Sequence, residues 1–234
     1  MALHRHTLSG FRGDLDWIHA FEGHAGTPYW PGGASGVTLD PGFDLGYADE
    51  SLFVQLYTRH MEPFQRRACM EVMGFRGEDA RGALRMQEDL REIRTPFDVA
   101  RRLFPFIAQT YWASIVTRFP ALLHDDTPGV VQSVLLSLAI NRGPGNSALT
   151  ALGHPLAAYD AEAIAEVVDA MQDDHQLQGI TDRRDAEADY IRDGVRRMKL
   201  QALAASLRQL TPLPPQDFEV DSLQTLAAAH TPAA

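Results

Sequence analysis

The sequence predicts an α+β domain that is mainly α, with one small β-hairpin near its N-terminus. Three observations lead there. Helix-start signals, a capping residue ahead of an apolar-periodic run, recur along the chain. One stretch, residues 36–46, joins strand-type residues to the turn chemistry of Asp40-Pro41-Gly42. Residues 130–140 are apolar on nearly every face, as a helix in the middle of a bundle is.

Taken in order, Asp14 to Gly23 reads as a first short helix. The hairpin follows. Asp49 then caps a helix that runs to about His60. Thr95-Pro96 and Thr127-Pro128 each read as an N-cap with proline at the first helical position. The second of these opens the buried helix of Val130, Val131, Val134, Leu135, Leu136, Leu138 and Ile140. Asp160 and Thr181 read as further N-caps, and Arg183 to about Leu210 as the last helix or two joined ones. Thr211-Pro212-Leu213-Pro214-Pro215 stops it. The expected organisation is one domain over residues 1–210, with a core over about 10–198, and a loosely ordered Pro/Ala-rich tail over 211–234.

Composition narrows the function. A net charge of -10 argues against a general nucleic-acid binder and gives no long-range attraction to an anionic cell wall. No apolar run approaches the roughly 18 residues of a membrane helix, so no membrane insertion is expected. The N-terminus, MALHRHTLSGFRGDLDW, lacks the apolar segment of a signal peptide. The expectation is synthesis in the cytoplasm without a standard cleaved signal. Cys69 is the lone cysteine, so no intramolecular disulfide is possible, and it reads as a small buried apolar residue. His19 and His24 read as packing or surface residues, and His4-Arg5-His6 as a tail, rather than as metal ligands.

Glu22 ends the first helix. At about 100° per residue it falls between Leu15 and Ile18, with Phe21 and Trp17 extending the same apolar arc. An apolar setting is what lets a carboxylic acid hold its proton near neutrality, as a general acid must. On this helix alone a second reading stays open: a helix-end glutamate in solvent or paired with an arginine. In the hairpin, strand alternation puts Phe43 and Leu45 on one face and Asp44 on the other. Asp40, just before Pro41, reads as support for the turn, whereas Asp44 stands past it and looks out as a cleft wall would.

Glu22, a hairpin carrying Gly36-Val37-Thr38, and then Asp44-Leu45-Gly46 resemble the pesticin-like branch of the phage-type lysozymes, muramidases that cut peptidoglycan. The branch motif is an S-G-V-T-hydrophobic-G-x-G-x-D-L-G run, which stands here as Ser35-Gly36-Val37-Thr38-Leu39-Asp40-Pro41-Gly42-Phe43-Asp44-Leu45-Gly46. The six-residue step from Thr38 to Asp44 matches, and Asp40-Pro41 departs from the pattern. Ordinary phage lysozymes place their aspartate between the glutamate and the threonine. Residues 23–37 here hold no Asp or Glu, so the second carboxylate comes after Thr38, with Asp44 the choice and Asp40 the reserve. The histidine that follows the threonine motif in phage lysozymes is missing, with Phe43 in that region.

Two further stretches carry the likeness. Ser137 to Leu149, with Asn141 and its glycines, is similar to the end of the central buried helix of phage lysozymes beside the cleft. Gly179-Ile180-Thr181-Asp182-Arg183-Arg184-Asp185-Ala186-Glu187 is similar to a G-L-x-x-R-R-x-x-E segment whose arginine approaches the catalytic glutamate, and Arg184 is the match expected. Residues 59–126 carry no such motif and are expected to add helices to the core.

The resemblance implies a lysozyme-like fold, a helical bundle around a buried central helix. It implies an inverting muramidase acting between N-acetylmuramic acid and N-acetylglucosamine, with Glu22 as acid, Asp44 as base and Thr38 holding the water. Arg184, Asn141 and Asp40 would support the site. No metal or organic cofactor is required. The expected partner is bacterial peptidoglycan, with a cognate immunity or inhibitor protein or a secretion-machine component beside it. The action is expected in the periplasm or cell wall after holin release or secretion-system delivery, as a phage endolysin, a tail-borne lysin or an antibacterial effector. The rival expectations are a lytic transglycosylase, which needs no water-activating aspartate, a non-catalytic wall-binding module, and a purely structural helical protein.

Overall fold

A computed structural model describes residues 8–171 and 178–210. The structure is mainly helical with one two-stranded antiparallel sheet. In chain order the elements are α1 (Leu15–Glu22), β1 (Thr38–Leu39), β2 (Phe43–Asp44), α2 (Glu50–Tyr57), α3 (Pro63–Glu71), α4 (Gly77–Met86), α5 (Glu88–Arg91), α6 (Phe97–Arg118), α7 (Gly129–Arg142), α8 (Gly153–Ala157), α9 (Ala161–Asp169) and α10 (Gln178–Leu210). Short 3₁₀ turns lie between α2 and α3, α6 and α7, and α7 and α8.

Several helix starts follow their side chains. The Asp14 carboxylate accepts from Trp17 N–H, that of Asp49 from Ser51 and Leu52 N–H, and that of Asp160 from Ala163 N–H. Each satisfies donors that the first turn of a helix leaves open. At α6 and α7 the caps are Pro96 and Pro128 themselves, one residue later than the Thr-Pro reading expects. Thr127 is unavailable as a cap because its hydroxyl donates to the Ala121 carbonyl at 2.7 Å. Thr181 lies inside α10, which starts at Gln178, and so caps nothing.

The chain divides into two compact units, Met1–Val195 and Arg196–Ala234. The boundary falls inside α10, earlier than the proline-rich break at residue 211. In the second unit the described side chains, from Arg196 to Arg208, are all exposed. The tail 211–234 and His4-Arg5-His6 lie outside the described residues.

The first unit holds two hydrophobic clusters. The larger surrounds α7, which is buried on all sides from Val131 to Ala139, and takes in Ile18 of α1, Phe104, Ala108, Trp112 and Ile115 of α6, and Ala188 and Ile191 of α10. Two buried polar residues in the first half of α7, Gln132 and Ser133, are both employed. Gln132 accepts from Arg12 N–H and donates to the Gly10 and Leu122 carbonyls, and Ser133 accepts from Asp14 N–H. Buried polar groups need such partners, or each costs about 1–3 kcal/mol. The smaller cluster packs Val37, Leu39, Phe43 and Leu45 of the hairpin region against α2, α3 and α5. It accounts for much of the stretch 59–126, which carries α3 to α6. Among the described elements α6 alone buries residues in both clusters, with Val99 and Leu103 in the smaller one. Cys69 is fully buried there, and burial pushes its thiol up to about 12, leaving it inert.

Candidate active site

A cleft of about 330 Å³ opens where the two clusters meet. That volume lies within the range of ligand clefts, roughly 300–1,000 Å³. It is lined by Glu22 and Gly23 at the end of α1, by Thr38, Asp40 and Asp44 of the hairpin, by Ile107 and Tyr111 of α6, and by Ile140 and Asn141 of α7. The candidate carboxylates, the candidate hydroxyl and Asn141, spread over more than a hundred residues of sequence, therefore share one cavity.

The hairpin sets two of these groups in register. Thr38 and Asp44 are direct cross-strand partners, as are Leu39 and Phe43. Directly opposed residues share a face, with Cβ atoms about 4.5–5.5 Å apart. The alternation is the one expected: Leu39, Phe43 and Leu45 are buried, while Asp44 is partly exposed toward the cleft. On its outer side Thr38 exchanges backbone hydrogen bonds with Tyr29, at 2.8 and 3.0 Å. Its hydroxyl makes one long bond, 3.4 Å, to the Gly36 carbonyl. Among the described residues nothing donates to that oxygen.

Asp44 is clamped by backbone. Its Oδ1 accepts from Gly36 N–H at 2.9 Å and from Gly46 N–H at 2.8 Å, and Oδ2 accepts from Gly36 N–H at 3.2 Å. Glycine is required at both donors. A Cβ on Gly36 would strike the Asp44 carboxylate and the Gly46 backbone, and one on Gly46 would strike the Phe75 carbonyl and Gly36. The glycines of the Gly-Val-Thr and Asp-Leu-Gly pieces thus interlock around one carboxylate.

Asp40 does more than support a turn. It sits at a turn closed by Gly42 N–H to the Leu39 carbonyl, with the Asp40–Pro41 peptide bond cis. Its buried carboxylate reaches back to accept from Gly26 N–H and lies 3.2 Å from His24 Nδ1. Its carbonyl takes the Tyr57 hydroxyl at 2.7 Å. Asp40 therefore ties the loop after α1 to the hairpin and to α2. His24 also meets the Phe97 ring edge-on, and His19 is buried against Phe97 and Phe104. Burial, with His24 nearby, lowers the His19 pKa.

Glu22 meets α10. Its Oε1 accepts from Arg183 Nη2 at 2.6 Å, and its Oε2 has no partner among the described residues. The arginine pairing left open by the sequence holds, and the Glu22 side chain is about four-fifths buried. The arginine at Glu22 is Arg183, which corrects the expectation of Arg184. One residue is 100° on a helix. Arg183, Glu187 and Tyr190 share the face of α10 toward α1, where Tyr190 stacks on Trp17 with ring centroids 3.9 Å apart. Arg184 turns inward with Ala188 and Ile191. It is fully buried, donates to Asn141 Oδ1 at 3.1 Å, and lies 2.6 Å from Glu187 Oε2 without hydrogen-bond alignment.

Glu187 joins the two arginines. It is fully buried, accepts from the Ser137 hydroxyl at 2.6 Å, and takes Arg183 Nε at 3.3 Å. Burial raises its pKa against the pull of Arg184, Ser137 and Arg183. Burial likewise brings the Arg184 guanidinium down to about 10, still charged at neutral pH.

The sequence marks Arg183 and Glu187 within the R-R-x-x-E segment but points to Arg184 for the contact with Glu22, and nothing in it marks Tyr29 or Tyr111. Tyr29 and Tyr111 are half-buried in the cleft, and neither hydroxyl has a partner among the described residues. Burial raises both pKa values, and the charges of Glu22 and Asp44 add to the rise, so both remain hydroxyl donors. Among the described residues no group of three or more His, Cys, Asp or Glu side chains gathers as a metal site, and no helix is long and apolar enough to cross a membrane.

No protein-family model matches the chain, and no curated protein matches it.

Proposed function

We propose that this chain is a muramidase that hydrolyses the bond between N-acetylmuramic acid and N-acetylglucosamine in peptidoglycan. One observation carries the reading: Glu22, Thr38 and Asp44 line a single cleft, each held by a different device. Glycoside hydrolysis needs an acid for the leaving oxygen and a second carboxylate on the other face of the sugar. Glu22 is the acid, delivering its proton from Oε2, the oxygen that carries no hydrogen bond among the described residues. Asp44 takes a proton from a water that the Thr38 hydroxyl helps to hold. That water attacks the anomeric carbon from the face opposite the leaving group, which inverts its configuration. Tyr29 and Tyr111 supply hydroxyls toward the sugar. Asp40 and Asn141 hold the walls of the cleft, and Arg183 orients the acid.

The setting proposed is the bacterial cell wall or periplasm, reached by release or delivery as an endolysin, tail lysin or antibacterial effector. The test is muropeptide analysis of purified cell walls after digestion. Reducing ends at N-acetylmuramic acid are expected. Anhydro-muramyl ends would mean a lytic transglycosylase, and no cleavage a wall-binding module. Glu22→Gln and Asp44→Asn should each lose about 10²–10⁴-fold in rate, the usual contribution of a general acid or base. Asp40→Asn should lose far less. The reverse order for the two aspartates would reassign the base.

A further inference from the structure

Glu187 does not line the cleft, yet it governs how Glu22 is held. An arginine grips a carboxylate most strongly with two parallel N–H groups. Arg183 instead divides its Nε and Nη2 among three acceptors: Nε to Glu187 Oε1 at 3.3 Å, and Nη2 to Ser137 Oγ at 2.9 Å and Glu22 Oε1 at 2.6 Å. Among the described residues Glu22 receives a single bond, on one oxygen. A two-pronged grip would occupy both oxygens and hold the group as a carboxylate, the wrong state for an acid.

The surrounding charges make the same point. Around Glu187 stand Arg183 and Arg184 on its own helix and Arg142 and Ser137 on α7. Arg142 has two guanidinium nitrogens, Nε and Nη2, buried without partners. Facing Glu22 are Arg183 and Arg184 from α10, His19 on its own helix, Tyr111 from α6 and Tyr29 from the loop after α1. Three guanidinium charges thus gather at this end of α7 and α10. Glu187 is the fully buried anion among them.

We propose that Glu187 is a positioning residue for the acid: it holds Arg183 by Nε, so that Glu22 keeps Oε2 free and is shielded from the full charge of the arginines. The proposal rests on the muramidase reading for its consequence in catalysis, but not for its geometry. Glu187→Gln keeps the shape and the neighbourhood of Ser137 while removing the charge.

Two measurements test it on the full chain. The first is the pH titration of the Glu22 side-chain carboxyl, followed by its carbon-13 chemical shift. The second is the pH profile of kcat/KM on isolated glycan strands. In Glu187→Gln the Glu22 midpoint should fall by about one pH unit, the lower end of the effect of an opposite charge. The alkaline limb of the profile should fall with it, a loss of about tenfold on that limb. Glu187→Asp, which restores the charge, should return both toward wild type. An unmoved midpoint, or a loss equal at every pH, overturns the proposal. Should Glu187→Gln fail to fold, Arg183→Met serves instead: the Glu22 midpoint should then rise by about one unit, and no rise overturns the proposal. A wild-type chain that cleaves no glycan would sink the muramidase reading, while the titration would still decide the role of Glu187.

Discussion

The pair Arg184–Glu187 offers a measurement in which size and sign both follow from burial. Both side chains are fully buried, and burial opposes the charge of each. Removing one partner strands the other charge in the interior, at a cost of about 3–5 kcal/mol. Among the described residues, Arg184→Met leaves Glu187 with Arg183 and Ser137, and Glu187→Met leaves Arg184 with Asn141. The second should therefore cost more. Replacing both with methionine removes the desolvation of both ions together, and such swaps are often neutral or even stabilising. The double variant should thus be more stable than Glu187→Met, with a coupling energy on the order of 3 kcal/mol. Urea unfolding of wild type, both singles and the double, followed by far-UV circular dichroism at neutral pH, gives all four corners of the cycle. For a chain of this size about 1 kcal/mol moves Tm by about 2–4 °C, so each single should lose about 6–20 °C. Additive singles, with a coupling below about 0.5 kcal/mol, would refute the account of the pair as a mutually dependent unit.

Two further outcomes are specific. Gly36→Ala should cut wall hydrolysis about as deeply as Asp44→Asn, because the added Cβ meets the carboxylate and the Gly46 backbone that hold Asp44 in place; near-wild-type turnover with an intact fold would disprove the clamp. His19 has its pKa lowered in the folded chain, so the unfolded chain binds the proton more tightly. Its contribution is therefore present above about pH 6.5 and is lost as pH falls through the lowered value. His19→Leu should flatten the dependence of Tm on pH across that window, and an unchanged slope would count against it.

How far the sequence reached depended on the range of the interaction. The hairpin was legible because its determinants are adjacent: alternation of Leu39, Phe43 and Leu45, a Pro-Gly turn, and glycines flanking Asp44. The buried α7 was legible because an all-apolar helix has one place to go. Arg183 against Arg184 was not legible, since the two are chemically identical neighbours. Their phase is set by Tyr190 stacking on Trp17, a contact across the fold. Asp40 reads locally as a turn residue, because its bonds to Gly26 and His24 close a loop that no local pattern announces. The Thr-Pro caps failed by one residue for a similar reason at α7, where Thr127 spends its hydroxyl on Ala121. Tyr111 lay in a stretch without motifs, and only the packing of α6 brings it to the cleft.

That packing carries one more consequence. Glu22 is anchored through α1 and α10 to the larger cluster, while Asp44 is anchored through the hairpin to the smaller one. The separation of the two carboxylates is thus fixed by whatever locks the clusters together, and α6 is the element buried in both. In glycoside hydrolases that separation selects the outcome, with about 6.5–9.5 Å leaving room for the attacking water and about 5–5.5 Å favouring a covalent intermediate. Leu103 is fully buried in the first half of α6 within the smaller cluster, and Leu152 is fully buried in the larger cluster away from the cleft. Leucine-to-alanine changes at such sites each cost about 2–5 kcal/mol of stability. Misplacing a catalytic group by about 1 Å costs on the order of 10²-fold in rate. Measured on fully folded protein at low temperature, Leu103→Ala should lose kcat well beyond Leu152→Ala at comparable loss of Tm. Equal losses would mean that α6 carries stability alone and that the carboxylate spacing is set within the hairpin and α1.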